Sequence, residues 1–341
     1  MNPPTPAAPP APIANESARI QTLRGTACLL LVAFHVVGNP GVDGLRVAGD
    51  SPYRMFVDLL AHLRMPLFTF LSGFVYAYRG ISPGDGWIFA TRKFQRLAIP
   101  LLVVSTVFYC VQVLVPGTNA AASWEGMWRI YVFPYAHFWF LQAIILIFAL
   151  VAFLDHNGLI KSFNGFVGVL GVVLLMHFAL RPSLNVFSLQ QALYLAPFFF
   201  LGLGANRFKR QLWNTPTKFA CGVGFAVTFT LYVIACFQEP ADLPKRTTLW
   251  ATALSLSGCL SLMYWIPDVQ WLARIGGFSF TIYLYHVFFT AGTRMALNLL
   301  GDFNTHTHFV IGLFAGLAGP IVLEVVLRNY LLARRVLLGQ A

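Results

Sequence analysis

Two arginines and a handful of histidines stand in stretches that are otherwise almost wholly apolar. Arg24 and His35 are eleven residues apart in RIQTLRGTACLLLVAFH. At about 100° and 1.5 Å per residue, that spacing makes three helical turns and sets both side chains on one face, roughly 16 Å apart. A guanidinium at one end of such a stripe can grip an anion, and a neutral imidazole at the other can accept a proton. Arg64 follows His62 and precedes Pro66 in AHLRMPLFTFLSGF. Asp58, six residues earlier, is poorly placed to neutralise Arg64 on the same helix, so its partner must come from elsewhere, Glu324 for instance, or be a bound anion. Pro66 frees a backbone carbonyl and can open room beside the arginine. Tyr283 and His286, three apart in FSFTIYLYH, share a helical face, and His137 and Trp139 open the segment HFWFLQ. His306 and His308 lack a carboxylate or cysteine constellation with ligand spacing, so they read as loop polarity and no metal site is expected. No GxSxG elbow, HExxH helix, Walker loop or GxGxxG turn is present.

The elements that must position these residues follow from composition. In 341 residues, 57% are hydrophobic and only 10% charged, and the mean hydropathy is +0.68. A soluble domain carries about 25% charged residues to solvate its surface, so this chain has too few charges to coat a globule in water. Cytosolic enzymes and disulfide scaffolds are excluded. The net charge of +11 does not indicate a nucleic-acid binder, because the basic residues lie dispersed between apolar runs, as membrane-flanking anchors do.

The fold class expected is therefore all-α, a polytopic integral membrane protein. Ten apolar stretches approach the roughly 17 to 25 residues a helix needs to cross about 30 Å of hydrocarbon. They cover 20–37, 55–78, 97–115, 136–154, 164–180, 189–206, 217–237, 247–266, 276–299 and 308–332. With ten spans both termini share a side. Of the 23 lysines and arginines, fifteen fall on the face holding the N-terminus, Arg79 among them, and six on the other. The positive-inside rule then makes both termini cytoplasmic. Residues 1–18, rich in proline and alanine, are expected to be a disordered tail, 19–335 the membrane domain, and 336–341 a short C-terminal tail. All five cysteines fall inside expected helices and read as small core residues. Ionisable groups at membrane depth are costly and mark function, either a reaction centre or the path of a transporter or lipid-linked sugar flippase.

Several of these segments together resemble the membrane-bound acyltransferase family 3. Leu23-Arg24-Gly25 with His35 resembles that family's arginine, ten residues, histidine motif in the first helix. The stretch from Arg64 to Phe74 is similar to its RMPLF-x-x-SGF segment, and His62 and His137-Phe138-Trp139-Phe140-Leu141 resemble its glucan-succinylating branch. Phe278-Ser279 through Tyr283-Leu284-Tyr285-His286 is similar to the late signature. One departure concerns the basic cluster before Leu97-Ala98-Ile99-Pro100: Lys93 stands where the first of two arginines is expected, with Arg96 retained and Arg92 adjacent. Lysine lacks the planar bidentate fork of arginine.

The resemblance implies an acyl-CoA-dependent O-acyltransferase of the bacterial inner membrane. It would move an acyl group, acetyl foremost and succinyl as the alternative, from acyl-CoA to a sugar hydroxyl of an exopolysaccharide, glucan or lipid-linked saccharide. Other polysaccharide-biosynthesis proteins would be partners, and no cofactor would be bound permanently. His35 would act as the base, with Arg64 stabilising the oxyanion and Tyr283 and His286 helping. Arg24, Arg92, Lys93 and Arg96 would bind the donor, and His137 and Trp139 the acceptor.

Overall fold

A computed structural model of the chain describes residues 14–78, 80, 86–118, 122–238 and 245–340. Residues 1–13 of the expected tail, Arg79 and Ala341 lie outside the described residues. All regular structure among those described is helical. We number the principal helices α1 Ala14–Val37, α2 Pro52–Tyr76, α3 Gly86–Leu114, α4 Trp139–His156, α5 Phe163–Ala179, α6 Leu189–Arg207, α7 Thr215–Gln238, α8 Leu249–Trp265, α9 Gln270–Gly277, α10 Ser279–Leu300, α11 Thr305–Leu327 and α12 Leu331–Leu337. Shorter helical turns cover Arg129–Val132 and Lys209–Leu212.

Seven of these are long and apolar enough to cross a bilayer, and an eighth span arises if α8 and α9 are taken together across their 118° bend. Ten spans are expected from the sequence, and each coincides with a helix, but α5 and α8, at 17 residues each, and α10 fall outside the seven. α1 starts at Ala14, ahead of the tail boundary expected at residue 18. α3 begins at Gly86 rather than near residue 97, and a π-helical turn at Phe94–Ala98 lies within it. Pro100 offers no N–H to the carbonyl four residues back, which permits the wider turn.

α1, α2 and α6 form the interior, with 56–61% of each span buried, whereas α7 and α11 show 11% and 17% burial and turn their apolar surfaces outward. α1 packs on α2, α9, α10 and α11, and α2 packs on α6 and α8. Glycine permits the two tightest approaches. A Cβ on Gly73 or Gly202 would fall 1.9 Å from the carbonyl oxygen of Phe199 or Phe70, and one on Gly276 would fall 1.9 Å from that of Gln21. In lipid, where apolar burial between helices gains little, such close backbone contact supplies the packing energy. The break between α8 and α9 is satisfied by α1: the Thr22 hydroxyl accepts from the Val269 N–H at 3.2 Å.

The end of the bundle that holds the start of α1 is locked by ion pairs. Arg207 on α6 binds both oxygens of the buried Asp155 on α4, at 2.7 and 3.0 Å, and Tyr76 on α2 donates to the same carboxylate at 2.8 Å. Lys209 reaches Glu16 on α1 at 2.7 Å. Four helices thus meet at paired charges.

Candidate functional site

At the opposite end, α1, α2, α3 and α10 enclose a cavity of about 840 Å³. His35 lies in the last turn of α1 and lines it, as do Arg64, His137, Trp139 and Tyr283. His286, fully buried, stands immediately behind His35. Three imidazoles converge there from three elements, with ring centroids 4.6 Å apart for His35 and His286, 5.0 Å for His137 and His286, and 6.2 Å for His35 and His137.

The hydrogen bonds restrict the tautomers. His286 Nδ1 lies 2.8 Å from the Ile282 carbonyl and 2.9 Å from that of Tyr283, so Nδ1 carries the proton and Nε2 is an acceptor. That acceptor sits 3.1 Å from His35 Nδ1, which is also 2.9 Å from the Leu31 carbonyl. His35 therefore donates through Nδ1, and Nε2 keeps a free lone pair in the cavity wall. His137 is fixed by its Nε2, which donates to the Leu284 carbonyl at 3.1 Å, leaving its buried Nδ1 with no hydrogen-bond partner. Tyr283 donates its hydroxyl proton to the His137 carbonyl.

His137 precedes α4 and depends on the loop before it. Ala136 turns the chain with φ +42°, the left-handed region. Gln142, fully buried one turn into α4, donates to the carbonyls of Ile130 and Phe133 at 3.1 and 3.2 Å and accepts from Ser188. The sequence signal for Gln142 is a lone amide inside an apolar helix. The sequence places His137 at the outer interface, and the structure brings its ring beside those of His35 and His286.

Arg64 is buried, with 4% exposure, and its guanidinium carbon lies 3.7 Å from the centroid of the Phe34 ring. Among the described residues no carboxylate pairs with it. Asp58 pairs with Arg54, and Glu324, the ion-pair partner considered from the sequence, accepts from Thr281 and Gln340. Arg54 also donates to the Gly38 carbonyl, which anchors the loop 38–45 over the cavity, and Arg294 on α10 binds the Gly44 carbonyl at 2.8 Å. Phe34 and Arg246 escape sequence reasoning because only packing brings them to the cavity wall, where Arg294 joins them from inside an expected span.

The basic residues at the other end form a second group. Lys93 turns inward, its Nζ 3.5 Å from the centroid of Phe148, whereas Arg92 and Arg96 are exposed. Arg24 is half-buried and close enough to Arg96 for their charges to repel. The cavity reaches only to Leu31 on α1, and Cys28, fully buried, closes the stripe between Arg24 and His35. His62 is buried with its edge against Tyr232, and its Nδ1 has no partner. No group of three or more histidine, cysteine or acidic residues able to hold a metal occurs among the described residues.

The sequence matches, over residues 17–325, the model of a protein family described as an acyltransferase domain. No match was found among curated proteins.

Proposed function

The chain belongs to acyltransferase family 3 and is a multi-pass membrane acyltransferase, and from that premise we propose that it carries an acyl group from acyl-CoA to a saccharide hydroxyl. Acetyl is the leading acyl group and succinyl the alternative. The acceptor belongs to an envelope or secreted polysaccharide, glucan or lipid-linked sugar of a bacterium, and the protein resides in the cytoplasmic membrane.

One observation carries this reading: the His286–His35 pair leaves an unprotonated ring nitrogen in the wall of a cavity, beside an arginine that no carboxylate among the described residues neutralises. A sugar hydroxyl is a weak nucleophile until its proton leaves, and imidazole is suited to take it near neutral pH. In the proposed step, the hydroxyl oxygen attacks the thioester carbonyl while His35 Nε2 takes the hydroxyl proton. The charge that collects on the carbonyl oxygen is stabilised by Arg64, whose guanidinium, already desolvated against Phe34, needs little reorganisation. The carbon–sulfur bond then breaks, and the imidazolium returns its proton to the CoA thiolate. His286 holds His35 in the tautomer that makes this possible, as the third member of a nucleophile–base–orienter chain does. Tyr283 has committed its proton to the His137 carbonyl, so it holds the loop of His137 rather than the oxyanion.

The donor approaches from the end carrying Arg24 and Arg96, whose charges suit the phosphates of CoA. Lys93, stacked on Phe148, frames this end from within. The pantetheine arm reaches His35 only when the floor at Cys28 and Leu31 parts, so donor binding includes a local rearrangement of α1 against α10. Trp139 offers an apolar face to the sugar.

The test uses purified protein in detergent with radiolabelled acetyl-CoA and polysaccharide extracted from cells lacking the protein. Label is expected in the saccharide with the wild type and absent with His35→Ala. A transporter would leave the saccharide unlabelled, since it needs two compartments to act. Full transfer by His35→Ala would remove that histidine from the reaction.

A further inference from the structure

The segment after α11 folds back onto the end of the bundle that carries Arg24 and Arg96. α12 packs on α3, including its π-helical turn. Just past α12, Leu338 is fully buried, and Gly339 ends the helix with φ +59°, the left-handed region that glycine enters without steric cost. The Gln340 N–H closes the turn on the Arg334 carbonyl at 3.0 Å.

Gly339 sits on one particular carbonyl. A Cβ there would fall 2.4 Å from the Arg96 oxygen and 3.0 Å from the Pro100 ring. That carbonyl belongs to the π-helical turn Phe94–Ala98, and Pro100, four residues on from Arg96, has no N–H to give it. Such wide turns are rare in helices, so the packing around one decides whether it keeps its register. Here Gly339 is part of that packing.

The same segment is tied to the helix that carries His286. Tyr285, its neighbour on α10, donates to the Leu337 carbonyl at 3.0 Å. The Gln340 side chain donates to Glu324 on α11 at 2.8 Å, and the other oxygen of Glu324 accepts from Thr281 on α10. A segment that served only to cover apolar surface would need Leu338 alone. The glycine contact and the polar bonds instead fix where the backbone of Arg96 lies relative to α10.

We propose that residues 331–340 form a strap that positions Arg96 for the phosphates of the acyl donor, with Gly339 holding the π-helical turn in register beside Arg24 and Tyr285 aligning that turn with the helix of His286. Gly339 and Tyr285 are then positioning residues that touch no substrate. This rests on the acyl-transfer reading above, in which Arg24 and Arg96 meet CoA.

The experiment compares two donors in the transfer assay on the full chain in detergent: acetyl-CoA, and S-acetyl-pantetheine, which has the same thioester and arm but no phosphate. KM, kcat and melting temperature are measured for wild type, Gly339→Val, Tyr285→Phe, Arg96→Ala, the Gly339→Val/Arg96→Ala double variant, and Leu332→Ala at an exposed position of α12. Valine sets a branched Cβ against the Arg96 carbonyl in a backbone region that it avoids. Gly339→Val is expected to raise KM for acetyl-CoA at least tenfold, with kcat within threefold and KM for acetyl-pantetheine unchanged. Tyr285→Phe loses one hydroxyl without a clash and should raise the same KM at least threefold, and it decides the matter if valine unfolds the chain. Arg96→Ala should match Gly339→Val, and the double variant should lose no more than Arg96→Ala alone, since both changes act through one guanidinium. An equal rise with both donors would reduce the segment to structural packing and overturn the proposal, as would additive losses in the double variant or the same effect in Leu332→Ala. If Arg96→Ala raises KM for acetyl-CoA while Gly339→Val and Tyr285→Phe leave it unchanged, the strap alone is lost. If Arg96→Ala leaves that KM unchanged, the donor end of the acyl-transfer reading fails, and the role of the strap fails with it.

Discussion

The two ends of the bundle handle charge in opposite ways. Where α1 begins, Arg207 meets Asp155, which also accepts from Tyr76, and Lys209 meets Glu16. Around the cavity, Arg64 lies against a phenylalanine ring with no carboxylate partner among the described residues, and His35 Nε2 and His137 Nδ1 keep unshared lone pairs. A buried ion of the first kind is costly to leave alone, so it is matched, and it ties four helices together. Cations and bases of the second kind persist at membrane depth only if something transient completes them. The first region holds the fold, and the second is the one proposed to take substrate.

The sharpest way to break that contrast is to remove one member of each. Asp155→Ala strands the Arg207 guanidinium in the interior and should cost about 3–5 kcal/mol of stability, seen as lost monodisperse protein on size exclusion in detergent. His35→Ala should elute and melt as the wild type does, yet lose roughly 10²- to 10⁴-fold in acyl transfer. If Asp155→Ala stays folded and His35→Ala aggregates, the division between the two regions is wrong.

Arg64 gives the next largest effect. Arg64→Gln should lower kcat by about 10²- to 10³-fold, the scale of losing one oxyanion donor. No carboxylate among the described residues is stranded by the change, so the melting temperature should hold or rise. A fall in melting temperature as large as that of Asp155→Ala would reveal a structural ion pair where none is described.

These regions differ in how far the sequence exposes them. The Arg24–His35 stripe and the ten apolar stretches are legible because helical periodicity and hydropathy act within one segment. The sequence likewise removes Asp58 from Arg64 by spacing, and the structure gives Asp58 to Arg54 instead. What it hides is register between helices. His137 joins His35 across about a hundred residues, and nothing local to HFWFLQ specifies that its ring sits 5.5 Å from that of Phe108 and 5.0 Å from that of His286. The partner for Arg64 is similarly invisible, because Phe34 looks like any core aromatic until α1 and α2 are packed. The bend between α8 and α9 also escapes hydropathy, because Thr22 satisfies the broken backbone from another helix.

His286 sharpens the comparison further, since in the proposed reaction it acts through His35 as a positioning residue. His286→Gln keeps an oxygen able to accept from His35 Nδ1, whereas His286→Phe fills the space with no acceptor. His286→Phe should lower kcat about tenfold or more with KM for acyl-CoA unchanged, a loss near 1.4 kcal/mol, and His286→Gln should recover most of it. Equal activity in the two variants would show that the ring contributes only packing.

The smallest effect concerns the loop that delivers His137. Ala136 has φ +42°, where an alanine costs about 1–2 kcal/mol relative to the right-handed region. Ala136→Gly removes that cost but frees the unfolded chain, which returns about 0.4–1 kcal/mol. The difference predicts a variant that is unchanged or slightly stabler, shifting the melting temperature upward by a few degrees at most. Activity should stay within about threefold, a barrier change under 1 kcal/mol, because Gln142 and Tyr283, not the strained residue, hold the loop and the His137 carbonyl. A loss of tenfold or more would mean that the stiffness of alanine at this turn keeps His137 beside His286, and the anchoring assigned to Gln142 would have to be given up.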